Sequence, residues 1–163
     1  MKKFGAYISA LVCALALFTA ACQERPKTAA DFGTVFPMKI SQKSFGARVA
    51  CHEPEKAKGL MFVKSLPEDE TMLFVNSVPS RAAYWMKNTS IALDIGFFDS
   101  NGILTEVKSL YPHNLDTVYS SRGDILYCLE ANAGWFSKNG IKSGDKLDME
   151  LLKSAIDARL GRE

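Results

Sequence analysis

The tetrapeptide Asp-Ser-Asn-Gly at residues 99–102 constrains the fold of this chain more than any other local feature. It separates two apolar runs, residues 95–98 and 103–108, and Asn-Gly between such runs is typical of a tight turn joining antiparallel strands. Further short apolar runs, each read as a strand, occupy residues 45–51, 72–75, 84–87 and 125–130. Short strands with turn signals between them predict a β-sandwich or barrel.

Helical signals are confined to short segments. Pro54 suits the first position of a helical turn over residues 54–58, and Gly59 suits its C-terminal cap. Residues 133–139 predict a second helical turn that stops at Gly140. Near the C-terminus, residues 146–151 alternate as a strand would, and residues 152–160 have the spacing of a short amphipathic helix. The fold class expected is therefore mostly β, a single-domain sandwich or barrel with short helical turns.

The N-terminus has the pattern of a secretory signal. Lys2 and Lys3 precede an apolar run over residues 4–18, and small residues follow at 19–21. The alternative is a membrane-spanning helix, for which the run is short. We therefore expect a signal peptide at residues 1–21, a tether at 22–37 and one β domain at 38–163.

Cys22 predicts a lipid anchor. Thr-Ala-Ala-Cys at residues 19–22 resembles a bacterial lipobox, although Thr19 stands where Leu is usual. A diacylglyceryl group on Cys22 would hold the protein at a membrane surface without a spanning helix. The alternative is ordinary cleavage after Ala21 without lipid. Both alternatives predict export across the inner membrane, to the periplasm or the outer membrane.

Charge argues against a nucleic-acid partner. The chain has 20 basic and 18 acidic residues, and cleavage removes Lys2 and Lys3, so 18 of each remain. A nucleic-acid-binding domain needs a basic stripe, and none is visible in the sequence.

Two cysteines, Cys51 and Cys128, belong to the predicted domain. In an oxidising compartment such a pair can form a disulfide bond. Two buried thiols that behave as small apolar groups are the alternative. The distance between their Cα atoms decides, and the sequence does not give it.

Several short motifs together carry a resemblance to a known family. They are Trp-Met-Lys-Asn-Thr at 85–89, Gly-Leu-Met at 59–61, Met-Leu-Phe at 72–74, Leu-Glu at 129–130 and Gly-Asp at 144–145. With these motifs the stretch from Ser44 to Leu152 resembles the bacterial and archaeal family known as domain of unknown function 192. The resemblance implies a jelly-roll-like β-sandwich and a secreted or envelope location, and it implies no reaction.

The run from Trp85 to Thr89 is the first candidate site. If it is a strand, Trp85, Lys87 and Thr89 share one face and Met86 and Asn88 the other, so the five cannot form one site. In the structural interpretation, one set packs in the core and residues 88–90 hydrogen-bond the backbone at the strand end. In the functional interpretation, Trp85 forms the wall of a cleft and Lys87 contacts an anion or a carbonyl group.

Two acids lie within apolar runs, Asp94 and Glu130. Each faces solvent or is buried with a partner, and pairing with Lys87 would make a structural ion pair. The alternative is a carboxylate with a raised pKa that acts as a general acid or base, as in a hydrolase of envelope polymers or small esters.

Standard cofactor and metal motifs are missing from the sequence. It has no Cys-x-x-Cys, His-Glu-x-x-His, Gly-x-Ser-x-Gly or phosphate-binding glycine loop, and its histidines are His52 and His113. Met61, Met86 and Cys128 could form a soft-metal (copper) site, although core packing accounts for the methionines more simply. We therefore expect no cofactor.

These observations favour a non-enzymatic module of the cell envelope. We expect Trp85, Lys87, Asn88, Thr89, Asp94 and Glu130 to present a ligand-binding cleft to a small molecule or an envelope protein. The alternatives are the hydrolase, with Asp94 or Glu130 and Lys87, and the copper carrier.

Overall fold

Six strands form one sheet at the centre of the structure. The computed structural model describes residues 28–162. Its elements are β1 (Val35–Ile40), β2 (Lys43–Ala50), α1 (Glu53–Lys58), β3 (Glu70–Ser80), β4 (Ala83–Tyr84), β5 (Leu93–Asp99), β6 (Leu104–Leu110), β7 (Val118–Tyr119), β8 (Ile125–Asn132), α2 (Trp135–Lys138) and α3 (Met149–Leu160). The predicted signal peptide at residues 1–21 and the lipidation site Cys22 lie outside the described residues.

The main sheet has the order β1-β2-β3-β8-β5-β6, and β4 pairs with β7 in a small second sheet. Strands β2 and β3 run parallel, and every other pair is antiparallel. The Asn-Gly turn joins β5 to β6, as predicted, with the Asn101 and Ile103 N–H groups donating to the Asp99 carboxylate. The mostly β, single-domain prediction is confirmed, with an open sandwich-like arrangement and no closed barrel.

One face of the main sheet packs against α2 and α3. Its buried side chains include Phe45, Leu73 and Leu129 from the strands and Phe136 and Leu152 from the helices. Phe136 sits directly over Gly96 of β5, where a Cβ atom would come within 2.8 Å of the Phe136 ring. A glycine at this position therefore lets α2 approach the sheet.

The opposite face of the sheet carries α1, the small sheet and the loops between them. The buried side chains there include Met72, Phe74, Ile95, Phe97 and Cys128. This second face holds the candidate site.

Two predicted strands are wrong. The run at 84–87 pairs only through Ala83 and Tyr84, after which the chain turns and Asn88 adopts φ 56°. In the run at 146–151, Lys146 and Leu147 form only isolated bridges to Ile103 and Ile40. Helix α3 then begins at Met149, because the Asp148 carboxylate accepts hydrogen bonds from the Glu150 and Leu151 N–H groups and caps the helix. The predicted 152–160 helix is thus longer than expected, Met149–Leu160.

The ordered fold begins earlier than the predicted domain start at residue 38. Strand β1 starts at Val35, inside the range predicted as tether. The Ala30 N–H group donates to the Ala158 carbonyl oxygen of α3 at 2.8 Å. None of the helices between residues 28 and 162 is both long and apolar enough to cross a bilayer.

Cys51 and Cys128 are both free thiols, so the disulfide alternative is not realised in this structure. Phe74 of β3 pairs with Ala50 on one side and with Cys128 on the other, and Cys51 follows Ala50. Two strand spacings, about 10 Å, therefore separate the backbones, and a disulfide needs Cα atoms within about 7 Å.

Candidate functional site

Glu130 is a buried carboxyl group in the middle of an apolar surface. It lies on β8 between its cross-strand partners Met72 and Ile95, both completely buried. Its residue is only 5% exposed, and the loss of hydration raises the pKa of its carboxyl group to about 8. No charged neighbour contributes to this shift. Glu130 is therefore mainly neutral at pH 7 and able to donate a hydrogen bond.

A small cavity opens at Glu130. Its volume is about 40 Å³, and its walls are residues 56–61 together with Phe74, Tyr84, Trp85 and Thr89. A cavity of this size holds only about three or four waters or one small functional group, since each water requires roughly 10–15 Å³. We refer to it as the Glu130 cavity.

A larger cleft adjoins the Glu130 cavity. Its volume is about 320 Å³, which is at the low end of the range of about 300–1,000 Å³ for ligand sites. The two spaces share Lys56, Ala57, Phe74, Tyr84 and Trp85 as walls. We refer to the larger space as the outer cleft.

Tyr84 and Cys128 form the part of the floor beside Glu130. The Tyr84 ring packs edge-on against Phe74, with centroids 5.2 Å apart, and its hydroxyl lies beside the Cys128 thiol. Burial raises the pKa of Tyr84 well above its usual value and that of Cys128 to about 12. A thiol with that pKa is not a nucleophile near neutral pH.

The mouth of the site is aromatic and positively charged. Trp85 is 48% exposed, and the Lys87 ammonium group lies 5.1 Å from the centre of its ring. Lys56 and Arg81 line the outer cleft, and Lys58 lines the Glu130 cavity. Glu53, which pairs with Lys56 at 2.5 Å, is the acidic residue among the described walls of the outer cleft.

Helix α1 forms one wall without burying any of its own side chains. The Glu55 carboxylate holds its start by accepting hydrogen bonds from the Cys51 and His52 N–H groups, and it forms an ion pair with the buried Arg159 of α3. Gly59 ends the helix at φ 47° and ψ −132°, a conformation suited to glycine. Polar contacts and one glycine therefore position this wall.

The run from Trp85 to Thr89 is a turn tied to two other loops. The Phe62 N–H donates to the Asn88 carbonyl oxygen, the His113 N–H to that of Thr89, and the Met86 N–H to that of Asn114. Phe62, Asn88 and His113 all have positive φ, between 56° and 65°. Such backbone conformations are costly for side chains other than glycine, and they tend to occur at functional sites.

Because residues 85–89 form a turn, their side chains do not alternate between two faces as they would in a strand. Trp85 and Thr89 line the Glu130 cavity, and Met86 is buried in the core. Lys87 and Asn88 are exposed and are not walls of the cavity. Thr89 also supports the turn, since its hydroxyl donates to the Lys87 carbonyl oxygen at 3.3 Å.

Asp94 lies on the other face of the main sheet. Its carboxylate accepts hydrogen bonds from the Ser109 hydroxyl at 2.9 Å and the Gly134 N–H at 2.7 Å. These bonds fix the start of α2 against β5 and β6. Asp94, Glu130 and Lys87 therefore do not converge, and the set expected for a hydrolase is not assembled.

The three residues of the copper alternative also have different structural roles. Met61 is a wall of the Glu130 cavity, whereas Met86 and Cys128 are buried in the core. Residues 28–162 contain no cluster of three or more His, Cys, Asp or Glu side chains with metal-binding geometry.

Tyr84, Lys56 and Lys58 were not predicted as site residues. In the sequence Tyr84 looks like an ordinary aromatic residue of a strand, and the two lysines lie on a predicted helical turn with no recognisable motif. The Gly-Leu-Met motif at 59–61 was a usable signal, because it forms the wall beside both lysines.

The fold and site define a β-sandwich-like domain with a ligand-sized cleft that ends at a neutral glutamic acid. The chain belongs to the family of domain of unknown function 192, described as uncharacterized ACR, whose model matches residues 36–149. No curated protein matches it.

Two solved structures are similar to this chain. A protein of unknown function from Novosphingobium aromaticivorans is 31% identical, with a TM-score of 0.66, covering 70% of this chain and 84% of that one. A putative transcription regulator from Sinorhizobium meliloti is 26% identical, with a TM-score of 0.67, covering 71% of this chain and 93% of that one.

Proposed function

We propose that this protein is a non-enzymatic module of the bacterial cell envelope that binds a small ligand in the outer cleft and the Glu130 cavity. The observation that carries the proposal is Glu130 itself. The residue is 95% buried, and it lines a cavity. Neither an ion pair nor a hydrogen bond with another residue of 28–162 lowers its pKa.

A buried acid of this kind destabilises a fold, because its ionised form loses hydration without gaining a partner. A purely structural position between Met72 and Ile95 would be better filled by an apolar side chain. The acid is therefore best explained by a partner that is present only part of the time. A cavity with an exposed Trp at its mouth is suited to such a partner.

Binding is favoured over catalysis by what surrounds Glu130. The second carboxylate, Asp94, is on the other side of the sheet, and the Cys128 thiol has a pKa of about 12. Lys87 is outside the cavity, over the Trp85 ring. Among the described cavity walls, Glu130 thus has neither a second carboxylate nor a reactive thiol beside it.

The location belongs to the same proposal and depends on the N-terminal sequence. Signal cleavage before Cys22 and its lipidation would tether the domain at a membrane surface. Mass spectrometry of the mature N-terminus tests this directly. A diacylglyceryl adduct on Cys22 supports the anchor, and an unmodified N-terminus at residue 22 or a retained leader contradicts it.

The binding proposal can be tested by NMR because the chain has two tryptophans that report on different regions. The Trp85 indole lies at the cleft, whereas the Trp135 indole is buried and donates to the Asp69 carboxylate. We expect members of a library of small acids, amides, amines and alcohols to shift the Trp85 indole signal and not the Trp135 signal.

Variants then locate the binding. Glu130→Ala should abolish or weaken these shifts, whereas Asp124→Asn, at a partly exposed position that is a wall of neither space, should leave them unchanged. A library that moves neither indole signal at millimolar concentration overturns the proposal. Equal shifts in the native protein and in Glu130→Ala would also overturn it.

A further inference from the structure

We infer that the Glu130 cavity receives a carboxylate group, which is held by a proton shared with Glu130, and that the ligand is a small organic acid whose flat apolar part lies against Trp85. This inference rests on the proposed binding function and names the class of its ligand.

The first argument is the supply of hydrogen-bond donors at the cavity floor. The Thr89 hydroxyl already donates to the Lys87 carbonyl oxygen. The Tyr84 hydroxyl lies beside the Cys128 thiol, whereas the O–H of neutral Glu130 has no acceptor among the described residues. A ligand group that enters this cavity must accept that hydrogen bond.

The second argument is the charge at the mouth. Lys56 and Arg81 line the outer cleft, and Lys58 lines the Glu130 cavity. Apart from the neutral Glu130, the acidic residue among the described walls of both spaces is Glu53. A cationic ligand would have to pass these groups and ionise Glu130 in an apolar setting. An anion is attracted by the same groups and keeps Glu130 protonated.

The third argument is size and charge together. The Glu130 cavity, at about 40 Å³, has room for a group of a few atoms. A carboxylate brings one negative charge and accepts the Glu130 O–H in a short, charge-assisted hydrogen bond. A phosphate dianion would bring a larger charge to a floor whose hydrogen-bond donors are neutral hydroxyl groups. The carboxylate is thus the anion that fits.

The remaining volume defines the other end of the ligand. The outer cleft, at about 320 Å³, is walled by Phe74, Tyr84 and the exposed ring of Trp85. Flat apolar groups pack well on such a ring. An aryl or similar planar carboxylic acid would place its carboxylate on Glu130 and its ring on Trp85.

Three probes of matched shape test the inference: phenylacetate, phenylacetamide and phenethylamine, each titrated into the full-length protein at pH 6 and pH 9. The Trp85 indole signal gives each Kd. We expect phenylacetate to bind best at pH 6, at least tenfold tighter than either other probe. Its binding should weaken by about tenfold at pH 9, because Glu130 must then regain a proton in order to bind.

Several other titratable groups lie near the cavity, namely Lys56 and Lys58 of α1, Tyr84 and Cys128 of the floor, and His113 of the adjoining loop. The variant Glu130→Gln separates their effects from that of Glu130, because its amide donates a hydrogen bond and does not titrate. It should bind phenylacetate with the same Kd at both pH values. Asp124→Asn should behave as the native protein.

The outcomes distinguish the two proposals. If phenethylamine binds tightest, and more tightly at pH 9, the cleft is a ligand site and the carboxylate inference is overturned. A pH dependence of phenylacetate binding that survives in Glu130→Gln also overturns it. If none of the probes moves the Trp85 signal, the carboxylate inference fails for aryl acids, and the wider fragment library decides the proposed function.

Discussion

Asp94 and Glu130 lie on neighbouring strands, one register position apart, with their side chains on opposite faces of the main sheet. Glu130 pairs with Ile95, and Asp94 pairs with Ala131. Glu130 therefore faces the cavity between α1 and the Trp85 turn, whereas Asp94 faces α2. Two acids that look equivalent in the sequence have different roles because of a shift of one residue.

The role of Asp94 is structural, and its removal should lower stability without affecting the cleft. Asp94→Asn replaces charge-assisted hydrogen bonds to Ser109 and Gly134 with weaker ones. We expect the free energy of unfolding to fall by about 1–3 kcal/mol, measured by urea denaturation. Phenylacetate binding should not change. The exposed Asp116→Asn is the control, and a loss in Asp94→Asn no larger than in that control would contradict this role.

Glu130 should make the protein less stable as the pH rises. The native carboxyl group holds its proton up to about pH 8, whereas in the unfolded chain it loses the proton near the ordinary value of 4.5. Between these values the native state binds more protons, so the free energy of unfolding falls with increasing pH and levels off above about pH 8. The stabilisation due to the bound proton is complete only below pH 4.5.

Glu130→Gln should remove this pH dependence. At pH 9 the variant should be more stable than the native protein by several kcal/mol, on the order of 3–5, and the gap should shrink towards pH 5. Urea denaturation at pH 5, 7 and 9 measures it. Parallel pH profiles for the two proteins would show that Glu130 titrates normally.

The sequence was sufficient to predict the main strands but not the turn at residues 85–89. The hairpin at 99–102 and the runs in β2 and β8 were recognisable because their apolar periodicity and turn residues act locally. The Trp85 turn is held by hydrogen bonds to residues 62, 113 and 114, which lie more than 20 positions away. Local alternation cannot report such contacts, and it favoured a strand there.

The same limit applies to the candidate site. Trp85, Thr89 and Glu130 were predicted and line one cavity, whereas Lys87 and Asp94 were predicted and lie elsewhere. Which face a side chain takes depends on strand register and on where β4 ends. Both are set by pairing between distant segments, so a single sequence cannot fix them.

Cys51 and Cys128 should be present as thiols in the native protein. Cys128 is completely buried, with a pKa raised to about 12, and burial also raises the pKa of the half-buried Cys51. We expect no alkylation of Cys128 by iodoacetamide at pH 8 and slow alkylation of Cys51. Both should react fully in urea without any reductant, as followed by peptide mass spectrometry. A Cys51–Cys128 linked peptide would contradict the free-thiol state.

The ion pair between Arg159 and Glu55 should stabilise both the fold and the cleft. Buried Arg159 donates to the Val49 and Ala30 carbonyl oxygens as well as to Glu55, and so connects α3 to the N-terminal end of α1. Arg159→Leu leaves these acceptors unpaired, and we expect a loss of about 3–5 kcal/mol in the free energy of unfolding.

The matched control is Arg162→Leu, an exposed arginine that makes none of these three hydrogen bonds, which should change stability by less than about 0.5 kcal/mol. A double-mutant cycle of Arg159→Leu with Glu55→Gln should give a coupling energy above about 1 kcal/mol. Because Glu55 holds the helix that carries Lys56 and Lys58, Glu55→Gln should also weaken phenylacetate binding at pH 6. Additive stability effects, with unchanged binding in Glu55→Gln, would show that α1 is positioned without this ion pair.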